Sequence, residues 1–185
     1  HTAYHVERLP QPAHTDQADG NGERDRVMGG HQHGTRDDKH HDKADRIYRI
    51  NGEIKFGSNH YQLAVAPAPL ADALLQDFPE VESAVRFRGR GSSLLKKSES
   101  ADNIKENNII WTDSTFFKIF SIPVLEGNPN SALKEPNSIA ISRKTALKFF
   151  PEGNALGQTL ILDNESANKV TAVFEDMPET GHFAY

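Results

Sequence analysis

The sequence predicts a strand-rich α+β fold, and three observations lead to this class. Apolar and polar residues alternate in several short stretches, which is typical of strands with one solvent-facing side. Three segments carry apolar residues at helical spacing, which are too few helices for a doubly wound parallel sheet. A polar segment, from residue 1 to about residue 44, precedes all of these elements.

The polar segment has scattered apolar residues, and five glycines from Gly20 to Gly34 interrupt any helix. Such a segment buries too little apolar surface to offset the entropy of ordering it. We therefore expect residues 1–36 to form a disordered leader and residues 37–185 to form the folded domain.

Seven of the nine histidines lie in the polar segment, including His31, His33, His40 and His41. Imidazole is an ordinary metal ligand, and Asp42 adds a carboxylate beside the last pair. A metal site also needs a rigid frame, which this stretch does not supply. We therefore predict no metal site there.

The first two predicted strands form a hairpin. Every second residue of 48–56 is apolar or glycine, which predicts a strand with one solvent-facing side. Residues 57–59 supply a turn, and the alternation resumes over residues 61–65.

The first predicted helix lies between two prolines. Pro69 suits a first helical position, and Pro79 ends the helix. Between them, Leu70, Leu74 and Phe78 recur every four residues. Further strands are predicted over residues 81–87, 93–97 and 108–112.

Two capped helices are predicted in the second half of the chain. Asp113 is expected to cap the first, and Ser142 to cap a shorter one that Pro151 ends. The side chains expected to face inward are Phe116, Phe117, Phe120, Ala146, Phe149 and Phe150. The remaining extended segments are predicted over residues 122–125, 138–141, 159–162 and 170–175.

Composition excludes several classes of protein. The chain has no cysteine, which rules out a disulfide framework, a zinc–thiolate site and a cysteine nucleophile. Its formal net charge is −5, so no nucleic-acid partner is expected. The sequence also lacks an apolar run long enough to predict a membrane-spanning helix.

No catalytic, cofactor-binding or metal-binding residue is predicted. The segment 88–93, Arg-Gly-Arg-Gly-Ser-Ser, resembles a phosphate loop but lacks its lysine spacing, so we expect a surface hairpin or loop. The carboxylates of Asp77, Glu80 and Glu82 are expected to be solvated. The phenylalanines are expected to belong to the core rather than to a ligand cleft.

An enzyme is poorly supported by the pattern of nucleophiles and bases. No serine lies in a G-x-S-x-G elbow. Only His60 and His182 lie outside the polar segment, and neither has a supporting motif.

Five blocks of the sequence form a recognisable series, at 44–50, 67–82, 113–129, 135–157 and 170–183. The most distinctive part is Asp-Ser-Thr-Phe-Phe-Lys-Ile-Phe at 113–120. In this order, the blocks resemble the periplasmic core domain of MacB-like and FtsX-like ABC transporter permeases, and the likeness covers roughly residues 37–185.

The resemblance implies an α+β fold with a porter-like α/β part and an inserted β-rich part. The porter-like part is expected to be incomplete at its C-terminal end, because relatives continue beyond the strand at 170–175. The family position implies a segment on the periplasmic side of the inner membrane, between two membrane helices of a permease.

The resemblance also implies a non-catalytic role without cofactors. Such a domain transmits conformational change and contacts substrate or a partner protein during export. The implied partners are an ABC ATPase subunit or domain, reached through the membrane part, a periplasmic adaptor or exported substrate, and a second permease in a homodimer or heterodimer.

Two other functions stay open at this point. One is a free-standing periplasmic ligand-binding or sensor module. The other is a hydrolase using Asp113, Ser114 or His182, which requires these side chains to lie within hydrogen-bond reach of one another.

Overall fold

A computed structural model describes residues 2–8, 46–56, 58–63 and 65–177. The chain divides into two compact units, His1–Pro67 and Ala68–Tyr185. The described residues form two sheets with three short helices, which confirms the predicted strand-rich α+β class. None of the helices in the described ranges is long and apolar enough to cross a membrane.

The first unit contains an antiparallel sheet of three strands in the order β1-β2-β3. The strands are β1 (Thr2–Arg8), β2 (Tyr48–Phe56) and β3 (Asn59–Leu63). Phe56 lies opposite Asn59, so the expected β2–β3 hairpin has a two-residue loop. The alternation in residues 48–56 predicted β2, and residues 57–59 predicted the turn that follows it.

Strand β1 is a difference from the disorder expected for residues 1–36. Its residues pair with β2 along its whole length, from Thr2 opposite Ile54 to Arg8 opposite Tyr48. The sequence around β1 is polar. Pairing with β2 nevertheless satisfies the backbone hydrogen-bonding groups of β1, so this strand can form without alternating apolar residues. The remainder of the leader and the expected boundary at residue 37 lie outside the described residues.

Helix α1 (Leu70–Asp77) opens the second unit where the two prolines predict it. Pro69 is the N-cap and Phe78 the C-cap, so the helix ends just before Pro79. None of its residues is fully buried. Leu75 and the adjacent Phe78 are exposed.

The next two strands correct the prediction. β4 runs unbroken from Phe87 to Lys96, and β5 runs from Ile104 to Thr112. Residues 81–86, expected as a strand, are irregular. Segment 88–93, expected as a surface hairpin or loop, lies in β4 and pairs with β5, so it belongs to a hairpin. The register shifts on both sides of Gly91, whose φ is +78°.

Helix α2 (Phe116–Ile119) follows, and its cap also corrects the prediction. Thr115 is the N-cap and makes no side-chain capping bond, while the Asp113 carboxylate bonds to Arg86 instead. A guanidinium with several donors, lying close to Asp113, takes the oxygens that would otherwise accept from the helix terminus.

The rest of the second unit is close to the prediction. It consists of β6 (Val124–Gly127), β7 (Ser138–Ser142), α3 (Arg143–Phe149), β8 (Thr159–Leu162) and β9 (Ser166–Phe174). Ser142 caps α3 as expected, because its Oγ accepts from the Thr145 amide at 3.2 Å. The hairpin between β8 and β9 turns through Asp163 and Asn164, both at positive φ.

The six strands of this unit form one sheet in the order β5-β4-β8-β9-β6, and β7 pairs with β9 in parallel. Helix α3 packs against β7 and β9 and covers the core. The most buried large side chains are Phe149, Leu160 and Val170. Strand β9 is therefore the centre of the sheet, with β8 and β6 pairing along it in addition to β7.

Candidate functional site

Strands β4 and β5 present exposed arginine and aromatic side chains on the surface of the second unit. β4 pairs with β8 only at Leu95 and Lys96, whereas it pairs with β5 from Phe87 onward. The first part of β4 therefore forms a two-stranded ribbon with β5 beyond the body of the sheet. Its exposed large side chains include Phe87 and Trp111.

One face of the ribbon is anchored by an aromatic cluster. The Phe87 ring lies 5.9 Å from that of Phe116 and 5.6 Å from that of Phe120, both of which are buried. Phe117 extends the cluster to Phe174 at the end of β9, with ring centroids 6.0 Å apart. The expectation that the α2 phenylalanines belong to the core is confirmed, and they tie the ribbon to the sheet.

The other face carries Trp111 between two arginines. Arg88 lies directly opposite Trp111 in the register of the two strands, so their side chains share a face. The guanidinium carbon of Arg90 lies 5.5 Å from the centre of the Trp111 ring, a cation–π distance. Trp111 nevertheless stays 48% exposed.

Arg90 is held by the turn between β8 and β9. Its Nε donates to Ser93 Oγ at 2.8 Å, and its guanidinium forms an ion pair with Asp163. Asp163 also accepts from the Leu94 amide at 2.8 Å. This amide bond, followed by the bond from Arg90, lowers the pKa of the Asp163 carboxyl below its ordinary value.

A second arginine cluster lies where the chain enters the ribbon. Arg86 donates to Asp113 through Nε at 2.8 Å and through a terminal nitrogen at 3.0 Å, and also donates to the Ala68 carbonyl at 3.1 Å. Asp72 of α1 lies 3.8 Å from the same guanidinium. The hydrogen bond from Arg86 lowers the pKa of Asp113, and the same bond raises the pKa of Arg86.

The described residues of the hydrolase alternative do not form a catalytic group with one another. Asp113 is bound by Arg86, and Ser114 is exposed beside it. His182 lies outside the described residues, as do His31, His33, His40 and His41. Asp77, Glu80 and Glu82 are all exposed. Among the described residues, no three acidic or histidine side chains are grouped so that they could hold a metal ion.

Sequence reasoning missed both arginine–aspartate clusters. Arg86 and Asp113 are 27 residues apart, and Arg90 and Asp163 are 73 residues apart. No local spacing signals such a pair, because strand pairing alone brings the partners together. The basic character of residues 86–90 was the available signal, and it appeared only as a poor match to a phosphate loop.

A family model described as "MacB-like periplasmic core domain" matches residues 27–185. The chain therefore belongs to the family of MacB-like periplasmic core domains, and the resemblance drawn from its sequence is confirmed. The comparison with curated proteins gave no match.

Solved structures of permease domains are similar to this chain. A domain of a putative permease protein from Porphyromonas gingivalis shares 28% identity with a TM-score of 0.51, covering 59% of this chain and 50% of that one. The periplasmic region of MacB from Actinobacillus actinomycetemcomitans has 15% identity and a TM-score of 0.44, covering 58% of this chain and 50% of that one. The extracellular domain of the transporter YknZ from Gram-positive bacteria has 21% identity and a TM-score of 0.37, covering 50% and 49%. The chain thus spans about half the length of the solved structures it matches.

Proposed function

We propose that this chain is the non-catalytic extracytoplasmic domain of an ABC transporter permease. In this role it lies on the periplasmic side of the inner membrane and passes conformational change between the membrane part and a substrate or partner protein. The observation that carries the proposal is the family match over residues 27–185.

The packing of the second unit supports a mechanical role. Arg86 joins the segment that leads into α1 to the residue that follows β5, through the Ala68 carbonyl and the Asp113 carboxylate. The aromatic cluster joins α2 to both β4 and β9. Close-packed elements cross-linked in this way move together, so a displacement at one end reaches the other.

The proposed partners follow from the same role. The ATPase subunit or domain acts through the membrane part of the permease, and a second permease completes a homodimer or heterodimer. A periplasmic adaptor or exported substrate contacts the domain itself. This contact requires an exposed surface with fixed side chains, and the β4–β5 ribbon provides one.

The location is tested by labelling a single cysteine in the full-length permease in intact cells. These 185 residues contain no cysteine, so in a permease whose remaining segments are also free of cysteine, by substitution where needed, Lys134→Cys is the single thiol and is exposed. A membrane-impermeant maleimide is expected to label this thiol in intact cells. The matched variant Leu160→Cys, at a fully buried position, is expected to react only after denaturation. Labelling of Lys134→Cys only after cell lysis would overturn the periplasmic location.

The transmission of conformational change is tested with the same exposed position. Spin labels at Lys134→Cys in the assembled transporter report the distance between the two permease copies. We expect this distance to differ between the nucleotide-free and ATP-bound states. Equal distances in a transporter that hydrolyses ATP would contradict transmission through this domain, and a monomeric permease would contradict the dimer.

A further inference from the structure

The ribbon face around Trp111 has the composition of a binding surface. Arg and Trp are the residues most enriched in the centres of protein interfaces, and here both are exposed on one side of a two-stranded ribbon. We call this surface, formed by Arg88, Arg90 and Trp111, the Trp111 face.

The side chains of the Trp111 face are held in place before any partner arrives. Arg90 is fixed by Ser93 and Asp163, and Asp163 is itself fixed by the Leu94 amide. The indole ring rests against the fixed guanidinium of Arg90. Binding a partner over Trp111 therefore orders few side chains of this face that are not already fixed. The smaller loss of side-chain entropy favours tight binding.

Arg88 is the arginine of this face that has no acidic partner among the described residues. Arg86 and Arg90, its neighbours on either side, are paired with Asp113 and Asp163. Within the described ranges, no ion pair or hydrogen bond involves the Arg88 side chain, which is exposed beside Trp111. A carboxylate brought by a partner would complete the pattern of its neighbours.

The charge of the wider segment points to the same partner. Residues 86–112 carry six Lys or Arg against three Asp or Glu, whereas the whole chain carries 21 against 26. Asp113 and Asp163, which lie outside this segment, pair with two of its arginines, so the ribbon keeps a small basic excess in an acidic chain. An acidic partner would be steered to the ribbon and repelled elsewhere.

Addition of a partner strand to the β5 edge is a weaker fit. Asn108 has a φ of +64°, and the register shifts between Gly91 and Ser93, so β5 is bulged at mid-strand. A bulge interrupts the row of backbone groups that an added strand needs. Recognition through side chains of the Trp111 face is the better match.

An anionic lipid surface also fits less well. Membrane-inserting aromatic side chains must be free to leave the protein, but the Trp111 ring rests against the Arg90 guanidinium, which the ion pair with Asp163 holds in place.

Building on the proposed function, we propose that the Trp111 face docks an acidic segment of a partner protein. A carboxylate of that segment binds Arg88, and an apolar side chain next to it covers the Trp111 indole. The contact with a partner protein that the proposed extracytoplasmic role requires would then combine an ion pair with apolar packing.

The test uses the full chain and a probe of matching chemistry, a short peptide of alternating Glu and Leu residues. Trp111 is the single tryptophan of the chain, so its fluorescence reports this face alone. We expect the peptide to shift the Trp111 emission to shorter wavelength in a saturable way, and added salt to weaken binding. The corresponding Lys–Leu peptide is expected to leave the emission unchanged.

Two charge reversals locate the site. Arg88→Glu and Lys134→Glu change the net charge equally, and both positions are exposed. Arg88→Glu is expected to weaken peptide binding about tenfold or more, and Lys134→Glu to change it less than about twofold. Thermal unfolding of each variant verifies that the fold is intact. Trp111→Ser, followed by anisotropy of a labelled peptide, is expected to weaken binding by a similar factor.

Three results would overturn the docking proposal. These are no binding of the Glu–Leu peptide, equal weakening by both charge reversals, and binding to phosphatidylglycerol vesicles in place of the peptide. The peptide assay does not depend on membrane location. Correct periplasmic labelling with failed peptide binding removes this inference alone, and the opposite pair of results removes the proposed function alone.

Discussion

Arg86 and Asp113 form a two-pronged ion pair, with N–O distances of 2.8 and 3.0 Å, across 27 residues of chain. Asp113 Oδ2, which accepts the shorter of these two bonds, also accepts from the Arg86 backbone amide at 3.0 Å. The entry to β4 and the residue before α2 are thereby fixed to each other at one point.

Asp113→Asn is expected to lower the free energy of unfolding by about 1 kcal/mol at neutral pH, a value limited by the partial exposure of the pair. Arg86 lowers the pKa of Asp113 in the folded chain. The carboxylate therefore stabilises the fold above its ordinary pKa, about 3.9, and this contribution is lost as the pH falls through the folded-state pKa.

Urea unfolding over a range of pH measures this effect. The curves of the native chain and of Asp113→Asn are expected to converge in acid. Asp102→Asn, at an exposed loop position, serves as the control and is expected to leave the neutral-pH value unchanged within about 0.5 kcal/mol. A constant difference between native chain and Asp113→Asn at all pH values would show that the ionised carboxylate does not contribute.

Gly127→Ala is expected to destabilise the second unit by about 2 kcal/mol or more. Gly127 has a φ of +93°, and an added Cβ would clash with the Thr171 carbonyl oxygen of β9. The matched variant Gly89→Ala has open space around the new methyl group and is expected to change stability by less than about 0.5 kcal/mol. Equal thermal stabilities of the two variants would contradict the close approach of β6 to β9.

Phe149→Ala is expected to cost about 3–5 kcal/mol, because it leaves a cavity in the core. Phe149 is 2% exposed, whereas Leu147, on the same helix, is 59% exposed. Leu147→Ala is therefore the control and is expected to change stability by less than about 0.5 kcal/mol. Chemical denaturation of both variants checks the orientation of α3, and a larger effect of Leu147→Ala would reverse it.

Asn164→Val is expected to destabilise the β8–β9 hairpin by about 1–2 kcal/mol, since a β-branched residue is disfavoured in the left-handed region. Asn164 has a φ of +61°. Asn164→Gly is expected to retain or raise the melting temperature, because glycine adopts this conformation readily. Glu165→Val, one residue further, is the control and is expected to have a smaller effect than Asn164→Val. The reverse order would contradict the turn geometry.

Much of the fold follows from local sequence. The alternation in residues 48–56 predicted β2, the two prolines predicted the bounds of α1, and Ser142 predicted the cap of α3. These local signals are sufficient to predict the three elements, because the residues that specify each element lie within it or directly beside it in the sequence.

The errors arose where distant residues decide the local structure. Segment 88–93 resembled a phosphate loop and did not predict a continuous strand, but pairing with β5 keeps β4 extended through its bulge. Asp113 is a good capping residue by type, yet Arg86 binds its carboxylate. The Trp111 face was equally hidden, because the register that places Arg88 opposite Trp111 is set by a strand pairing and not by sequence spacing.

The pairing of strand β9 has a mechanical consequence under the proposed role of transmitting movement. It pairs with β8 over its first residues, with β6 over its last, and with β7 in parallel along most of its length. A pull directed along β9 therefore loads hydrogen bonds to three strands in shear at the same time. Because these bonds would share the load, we expect β9 to resist extension under tension.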